Sequence, residues 1–335
     1  MSSPSERGAS GLWTRRKLLV GLGAVTAATA GYVAYDKLGL REPRTRVMTL
    51  AAANYEIDLV DTLLRGIREF PNTVARVKGA NVVLKPNLVE WSASRPVNTN
   101  PRLIAAAIEA FRKLDAKAVV VAEGPGHVRD MEMLLDQSGL AEYLKQVGAS
   151  FIDLNIDRRV DVPLRTTYTK LETLPIAATI AGADFVVSMP KLKTHHWAGV
   201  TLSMKNLFGT VPSAVVGWPK NPLHWAGIEA SIVDLWTSLQ PGFAIVDGIV
   251  GMEGDGPIRG DAVEAGVLVL GEQGVAVDAT AARHMGVDPH QVGYLAVAGY
   301  HGGTLHESRI ENVGDLVAPR AFRLLDTFAH LRLKT

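Results

Sequence analysis

The 335-residue chain contains no cysteine. Disulfides, thiolate zinc sites, cysteine-ligated iron–sulfur clusters and cysteine nucleophiles are thereby excluded, and any metal must be held by oxygen or imidazole. Two common signatures are also missing. There is no Gly-x-Ser-x-Gly elbow and no Gly-x-x-x-x-Gly-Lys-Ser/Thr phosphate loop, so the usual serine-hydrolase and nucleotide-hydrolase mechanisms lose support. Net charge is only +1, and the first 30 residues carry Arg7, Arg15, Arg16 and Lys17 against Glu6, which leaves the remainder slightly acidic. No nucleic-acid surface follows from that balance. Neither a low-complexity linker nor an internal repeat interrupts the sequence. At 47% hydrophobic and 21% charged, the composition is that of an α/β protein with a large core, in one big domain or two small ones.

What is present begins with an address. Arg15 and Arg16 stand just before an uncharged run at 18–35, rich in Ala and Gly, which resembles a twin-arginine export signal. Ala28-Thr29-Ala30 offers small residues for cleavage after Ala30. The run lies at the lower limit for crossing a bilayer, so an uncleaved signal anchor is the alternative. Residues 1–35 are thus expected to meet the twin-arginine export machinery. The expected location is the periplasm or cell exterior, with membrane contact only through this segment.

From residue 45 to 315 the pattern alternates strand and helix. Strands are expected at 46–53, 81–84, 118–122, 150–154, 185–187, 243–246 and 266–270. Helices are expected at 57–70, 101–114, 131–147, 176–181, 223–239, 275–285 and 291–298, with Asn100 capping the second; a hairpin is expected within 160–174 and a tail helix within 316–335. Such alternation predicts an α/β fold, a mainly parallel sheet with helices on both faces, with two α/β lobes as the alternative arrangement.

The chemistry gathers where these strands end. At 184–209 an apolar run stops at Pro190, which has no N–H to give a ladder, and the segment beyond reads as a loop carrying Lys191, Lys193, His195, His196, Lys205 and Asn206. Another strand ends at Lys85-Pro86-Asn87, the next at Glu123-Gly124-Pro125-Gly126-His127, and a later one runs into the acidic, glycine-rich segment 247–257. Parallel strands place these ends on one edge, where open α/β sheets bind ligands. Lys85, Asn87, Lys191, Lys193 and Asn206 are candidate binders of a small anionic ligand. Asp247, Glu253 and Asp255 are hard oxygen donors suited to a divalent cation, magnesium, manganese or calcium. His195 and Lys205 are the candidate catalytic groups, His195 because its titration lies near working pH.

Each element has a plainer explanation. Asp247-Gly248 alone is more often a turn. His195 and His196 are adjacent, so on a strand they face opposite sides, and one functional histidine is favoured over a pair of ligands. His224 is as readily a packing residue at a helix start, and His284, His290, His301, His306 and His330 read as structural or exposed. Lys205-Asn206 alone would be a solvated lysine beside a capping amide.

These segments also carry a resemblance. Lys-Pro-Asn at 85–87, Glu-Gly-Pro-Gly at 123–126, Pro-Lys-Leu-Lys-Thr-His at 190–195, Lys-Asn-Leu-Phe-Gly at 205–209, the glycine-rich run at 247–257 and Val-Ala-Val-Asp-Ala-Thr-Ala-Ala-Arg-His-Met-Gly at 275–286 together resemble the domain of unknown function 362 family, over roughly 80–300. The resemblance draws attention to Asp278, otherwise a helix-start acid. Many relatives add ferredoxin-like clusters with cysteine ligands, which this chain cannot form. Two readings follow: a cation-dependent enzyme acting on a phosphorylated or carboxylate small molecule, or an exported or anchored binding protein for an anion or metal complex. Assembly of a metallocentre is a third.

Overall fold

Successive residues along the strands fall into two separate apolar clusters. Val47, Val83, Ala244, Val246, Val267 and Val269 belong to one, and Met48, Val82, Leu84, Ile245, Leu268 and Leu270 to the other. The two-residue period of a strand thus feeds both faces of one sheet. In the computed structural model, which describes residues 39–126, 130–218 and 220–334, helices Leu59–Ile67 and Pro101–Lys113 cover one face. Helices Ile228–Leu239, Gly274–His284 and Gly293–Gly299 cover the other. Residues 42–335 form one compact unit rather than two lobes.

The main sheet contains β1 (Thr45–Ala51), β2 (Asn81–Pro86), β3 (Ala118–Glu123), β4 (Phe151–Asp153), β7 (Phe185–Met189), β8 (Lys191–His195), β9 (Gly199–Thr201), β10 (Phe243–Glu253), β11 (Asp261–Gly271) and β12 (Ile310–Gly314). A separate antiparallel hairpin joins β5 (Arg159–Pro163) to β6 (Thr173–Ala177). Strand order is β12-β1-β11-β10-β7-β2-β3-β4, with β8 branching from β10 and β9 pairing β8. Strands β10, β7, β2, β3 and β4 are mutually parallel, while β11 is antiparallel to both neighbours. The sheet is therefore mixed and mostly parallel, and the parallel strands deliver their C-terminal ends to one edge. Asn100 caps its helix as expected, its side chain accepting from the Arg102 N–H at 2.9 Å.

Several local expectations are corrected. Pro190 interrupts pairing for a single residue, because its carbonyl still accepts the Asp247 N–H at 2.8 Å. The chain then resumes as β8, so Lys191, Lys193 and His195 lie on a buried strand and not in a loop. Strand β10 likewise runs on to Glu253, through the segment read as a glycine-rich ligand loop. A Cβ at Gly251 would lie 2.8 Å from the Leu192 carbonyl oxygen and 2.7 Å from the Phe322 ring. Glycine there serves close strand approach, not ligand contact. The helix expected over 131–147 is two, Met131–Gln137 and Leu140–Gln146, parted at Gly139 with φ 74°. That over 223–239 is also two, parted at Gly227 with φ 99°. The tail at 316–334 is not an α-helix; it is largely irregular apart from a 3-10 turn at Asp326–Leu331, and buries Phe322 and Leu331. The export-signal segment and His127 lie outside the described residues.

Candidate functional site

Lys191 and Lys193 are two apart on β8 and leave the strand on the same side, yet they reach different cavities. The β8–β10 register jumps from Lys191↔Asp247 to Lys193↔Met252, across an irregularity in β10 at Gly248/Val250. Lys191 donates to Asp247 at 2.9 Å and to the Tyr55 hydroxyl at 2.7 Å; Tyr55 donates to the other Asp247 oxygen at 2.7 Å. The Asn100 backbone N–H also donates to Asp247, at 2.9 Å. This closed set pins the 55 and 100 loops to β10. Lys193 instead donates to the Val97 carbonyl at 2.7 Å and lies 3.4 Å from the Pro257 carbonyl.

Lys193 belongs to a cavity of about 140 Å³ beyond the ends of β2, β3 and β8. Of the residues expected at the site, Asn87, Lys193, His195, Lys205 and Asn206 line it. Lys85 stands behind the wall, fully buried, ion-paired to Glu123, which lines the cavity. Asn206 binds that pair to the sheet: its carbonyl accepts from Lys85 at 3.2 Å, and its amide donates to the Lys85 carbonyl at 3.0 Å and to Ser188 at 3.1 Å. Asn206 begins the buried part of a 3-10 turn, Lys205–Thr210, whose entry is fixed by Asp278. The Asp278 carboxylate accepts from the Ser203 N–H (2.8 Å), the Ser203 hydroxyl (2.6 Å) and the Met204 N–H (3.0 Å).

The cavity is electropositive. Lys193, Lys205 and Lys220 face it, against the single carboxylate of Glu123, which Lys85 already neutralises. Burial, then repulsion from Lys205 and Lys191, holds the Lys193 ammonium well below the ordinary lysine range. Burial and the neighbouring Lys85 bring Lys205 down to about 8. Burial brings Lys220 to about 7, with Glu123 pulling the other way. His195 is held well below its usual pKa by burial and by Lys205, so the ring is neutral. Its Nδ1 accepts from the Trp197 N–H at 3.0 Å and the Ala198 N–H at 3.2 Å. The remaining proton therefore sits on Nε2, and the imidazole is a donor and not a base in this tautomer.

Lys205 is the distinctive member of the set. Among the described residues it makes no hydrogen bond or ion pair, and its ammonium lies 3.8 Å from the centre of the Phe208 ring. The buried Thr201 hydroxyl and the Asn87 side-chain carbonyl oxygen, both of the same cavity, have no hydrogen-bond partner among the described residues. Buried polar atoms are rarely left so unless a ligand or water completes them.

The three expected metal ligands do not converge. Asp247 is taken up by Lys191, Tyr55 and Asn100. Glu253 accepts from the Arg323 N–H at 2.8 Å, and Asp255 faces His196 at 3.6 Å. No group of three His, Asp or Glu side chains among the described residues has metal-holding geometry. The expectation of a cation bound by Asp247, Glu253 and Asp255 is corrected accordingly. Glu123 lines the cavity from one of the strand ends expected to gather there, whereas sequence reasoning missed Lys220 and Thr201 as cavity residues. Lys220 follows a proline at positive φ (67°) and reaches back to Asn155, Val211 and Ser213, a path no local motif announces.

The profile of the family described as domain of unknown function (DUF362) matches residues 82–283. A thylakoid-associated protein of Synechocystis sp. is 30% identical over 230 residues, covering 65% of this chain and 67% of that protein. Among solved structures, the chain is similar to the lactate racemase apoprotein of Thermoanaerobacterium thermosaccharolyticum at TM-score 0.41 and 14% identity, covering 67% of this chain and 54% of that one. It is similar to a Thermotoga maritima protein at TM-score 0.35 and 12% identity, covering 58% and 50% respectively. The chain thus spans about half the length of these two structures.

Proposed function

The chain belongs to the DUF362 family, and from that premise we propose that its electropositive cavity binds a small carboxylate or phosphate and moves a proton on it, with Lys205 as the acid–base group. The observation that carries this reading is the uncompensated charge of Lys193, Lys205 and Lys220 around one small cavity. Three buried or half-buried amines with one already-neutralised carboxylate are costly until an anion arrives. Lysine shifted towards neutral pH is suited to give and take protons there. His195 supplies a fixed Nε2–H donor, able to hold a ligand oxygen without changing its own charge. A divalent cation enters this reading only as the ligand's own counter-ion, since Asp247, Glu253 and Asp255 are separately engaged.

The test is titration calorimetry with inorganic phosphate and with acetate, on wild type and on Lys205→Met. Saturable binding weakened at least tenfold by the substitution supports the reading. Absence of binding by either anion ends it.

A binding protein without turnover is the second reading, favoured by the closed hydrogen bonding of Lys193, Lys220 and His195, which holds these groups still. Saturable anion binding by the wild type with no product from any acid tried would select it, whereas retained affinity with lost turnover in His195→Ala would support catalysis. For location, the paired Arg15-Arg16, the apolar run at 18–35 and a thylakoid-associated relative favour export or attachment to a membrane through the N-terminal segment. No helix among the described residues is long and apolar enough to cross a bilayer. Fractionation of cells carrying Arg15→Lys with Arg16→Lys tests the twin-arginine route: accumulation of the variant in the cytoplasm supports it.

A further inference from the structure

Five lysines surround this region, and four are already committed. Lys85 is paired with Glu123. Lys191 is held by Asp247 and Tyr55, and Lys193 by the carbonyls of Val97 and Pro257. Lys220 is held by Asn155 at 3.0 Å, Ser213 at 3.1 Å and the Val211 carbonyl. Lys205 rests on the Phe208 ring and, of the five, it alone has no polar partner among the described residues. Losing its proton breaks no bond in the fold, so its nitrogen lone pair is available to a ligand.

We propose, resting on the anion-pocket reading above, that Lys205 forms an imine with the carbonyl carbon of a small oxo acid bound in this cavity. The acid's carboxylate lies against the side formed by Lys193 and Lys220, which stay hydrogen-bonded to the fold and are drawn towards their charged forms by the bound anion. The uncharged Lys205 nitrogen attacks the carbonyl carbon and a carbinolamine forms. The C–O bond then breaks; the oxygen leaves as water with one proton from the attacking amine and one from a neighbouring ammonium of the pocket. What remains is the protonated imine, with no oxidant or further reactant required. Thr201 offers what this intermediate needs: a hydroxyl, 3% exposed, lining the same cavity and with no partner among the described residues. A cavity of about 140 Å³ suits a molecule of a few heavy atoms. Lysines made nucleophilic by desolvation and by adjacent cations follow this chemistry, and Lys205 is brought to about 8 by burial and by Lys85.

The experiment is reductive trapping. Full-length protein is incubated with pyruvate and sodium borohydride, then weighed intact and mapped after digestion. The expected result is one reduced adduct, located on Lys205, lost in Lys205→Arg and suppressed by excess acetate or phosphate. If Lys205→Arg fails to fold by circular dichroism, competition by acetate on the wild-type adduct gives the same readout. An adduct spread over surface lysines and insensitive to acetate overturns the proposal. So does the absence of any adduct while pyruvate still raises the melting temperature; in that case the anion pocket stands and only the imine falls. If pyruvate, acetate and phosphate all leave both mass and melting temperature unchanged, the pocket reading falls with it.

Discussion

Lys85 and Glu123, on adjacent parallel strands, form a buried ion pair behind the cavity wall, each at most 2% exposed. Burial alone drives Lys85 below and Glu123 above their ordinary pKa values, and their mutual attraction opposes both shifts. Breaking one partner therefore leaves a stranded charge. Glu123→Gln or Lys85→Met is expected to lose about 3–5 kcal/mol, whereas the double change Lys85→Met with Glu123→Leu recovers most of it. Urea unfolding of the three variants decides; a double variant as unstable as the singles would show that shape, not charge, is lost.

Gly209 lies directly against that pair. A Cβ added there would stand 1.7 Å from a Glu123 carboxylate oxygen and 2.6 Å from the Lys85 nitrogen. Gly209→Ala must displace the pair or the turn that carries Lys205, at a cost of about 1–3 kcal/mol. Phosphate affinity should fall at least tenfold with it. Unchanged affinity and stability would mean the turn has slack the packing does not show.

The buried lysines set the pH dependence of the unliganded protein. Lys205 at about 8 and Lys220 at about 7 compare with 10.5 for ordinary lysine. Between those limits the unfolded chain binds more protons than the folded one, so stability rises as pH rises. The melting temperature should increase by several degrees from pH 7.5 to 10, at roughly 2–4 °C per kcal/mol for a chain of this size. Substituting both Lys205 and Lys220 with Met should reduce the trend and leave the part due to the other buried lysines, Lys193 among them; a wild-type melting temperature that falls over this range contradicts the assignment.

An anion reverses that bias, because it favours the charged amines. Binding should take up protons, and affinity should weaken as pH rises past about 8, by up to about tenfold per pH unit for each proton taken up. Calorimetry with acetate in two buffers of different ionisation enthalpy measures the proton count directly. The imine needs both the bound carboxylate and the uncharged Lys205, so trapping by borohydride should pass through a maximum near pH 8, where acetate affinity alone only declines.

Much of this was legible in the sequence, and the failures share a cause. Alternating apolar runs and the Asn100 cap report local energetics, so the parallel strands and the edge that collects Lys85, Asn87, Lys193 and Lys205 could be placed. Pro190 misled because its missing N–H was weighed and its carbonyl was not: that carbonyl holds Asp247 and lets β8 begin at once. The carboxylates misled because the glycine-rich run that carries them was read as lying beyond a strand end, when it continues β10 and Gly251 is set by its distance to Leu192 and Phe322. Lys220 and Thr201 were missed because their place depends on chain crossings, which leave no periodic trace. Asp278 was noticed through resemblance, but its three donors lie about 75 residues away in sequence.

Those three donors make Asp278 the most exacting position outside the cavity. It is fully buried, and it is the acceptor for both backbone N–H groups and the hydroxyl at Ser203-Met204, immediately before Lys205. Asp278→Ala leaves the Ser203 and Met204 N–H groups without that acceptor in the core, at about 1–3 kcal/mol each at most, while the Ser203 hydroxyl can still donate to the Gly274 carbonyl. Asp278→Asn keeps the shape but turns an NH₂ towards one of those donors, so it should lose less stability than Ala while still displacing the turn. Ser203→Ala removes one donor and its acceptor site together and should be the mildest. Lys205 follows the turn, so acetate affinity and borohydride trapping with pyruvate should decline in the order Ser203→Ala, Asp278→Asn, Asp278→Ala. Melting temperatures that follow this order while affinity and trapping stay at wild-type values would separate Asp278 from the cavity and leave it a purely structural cap.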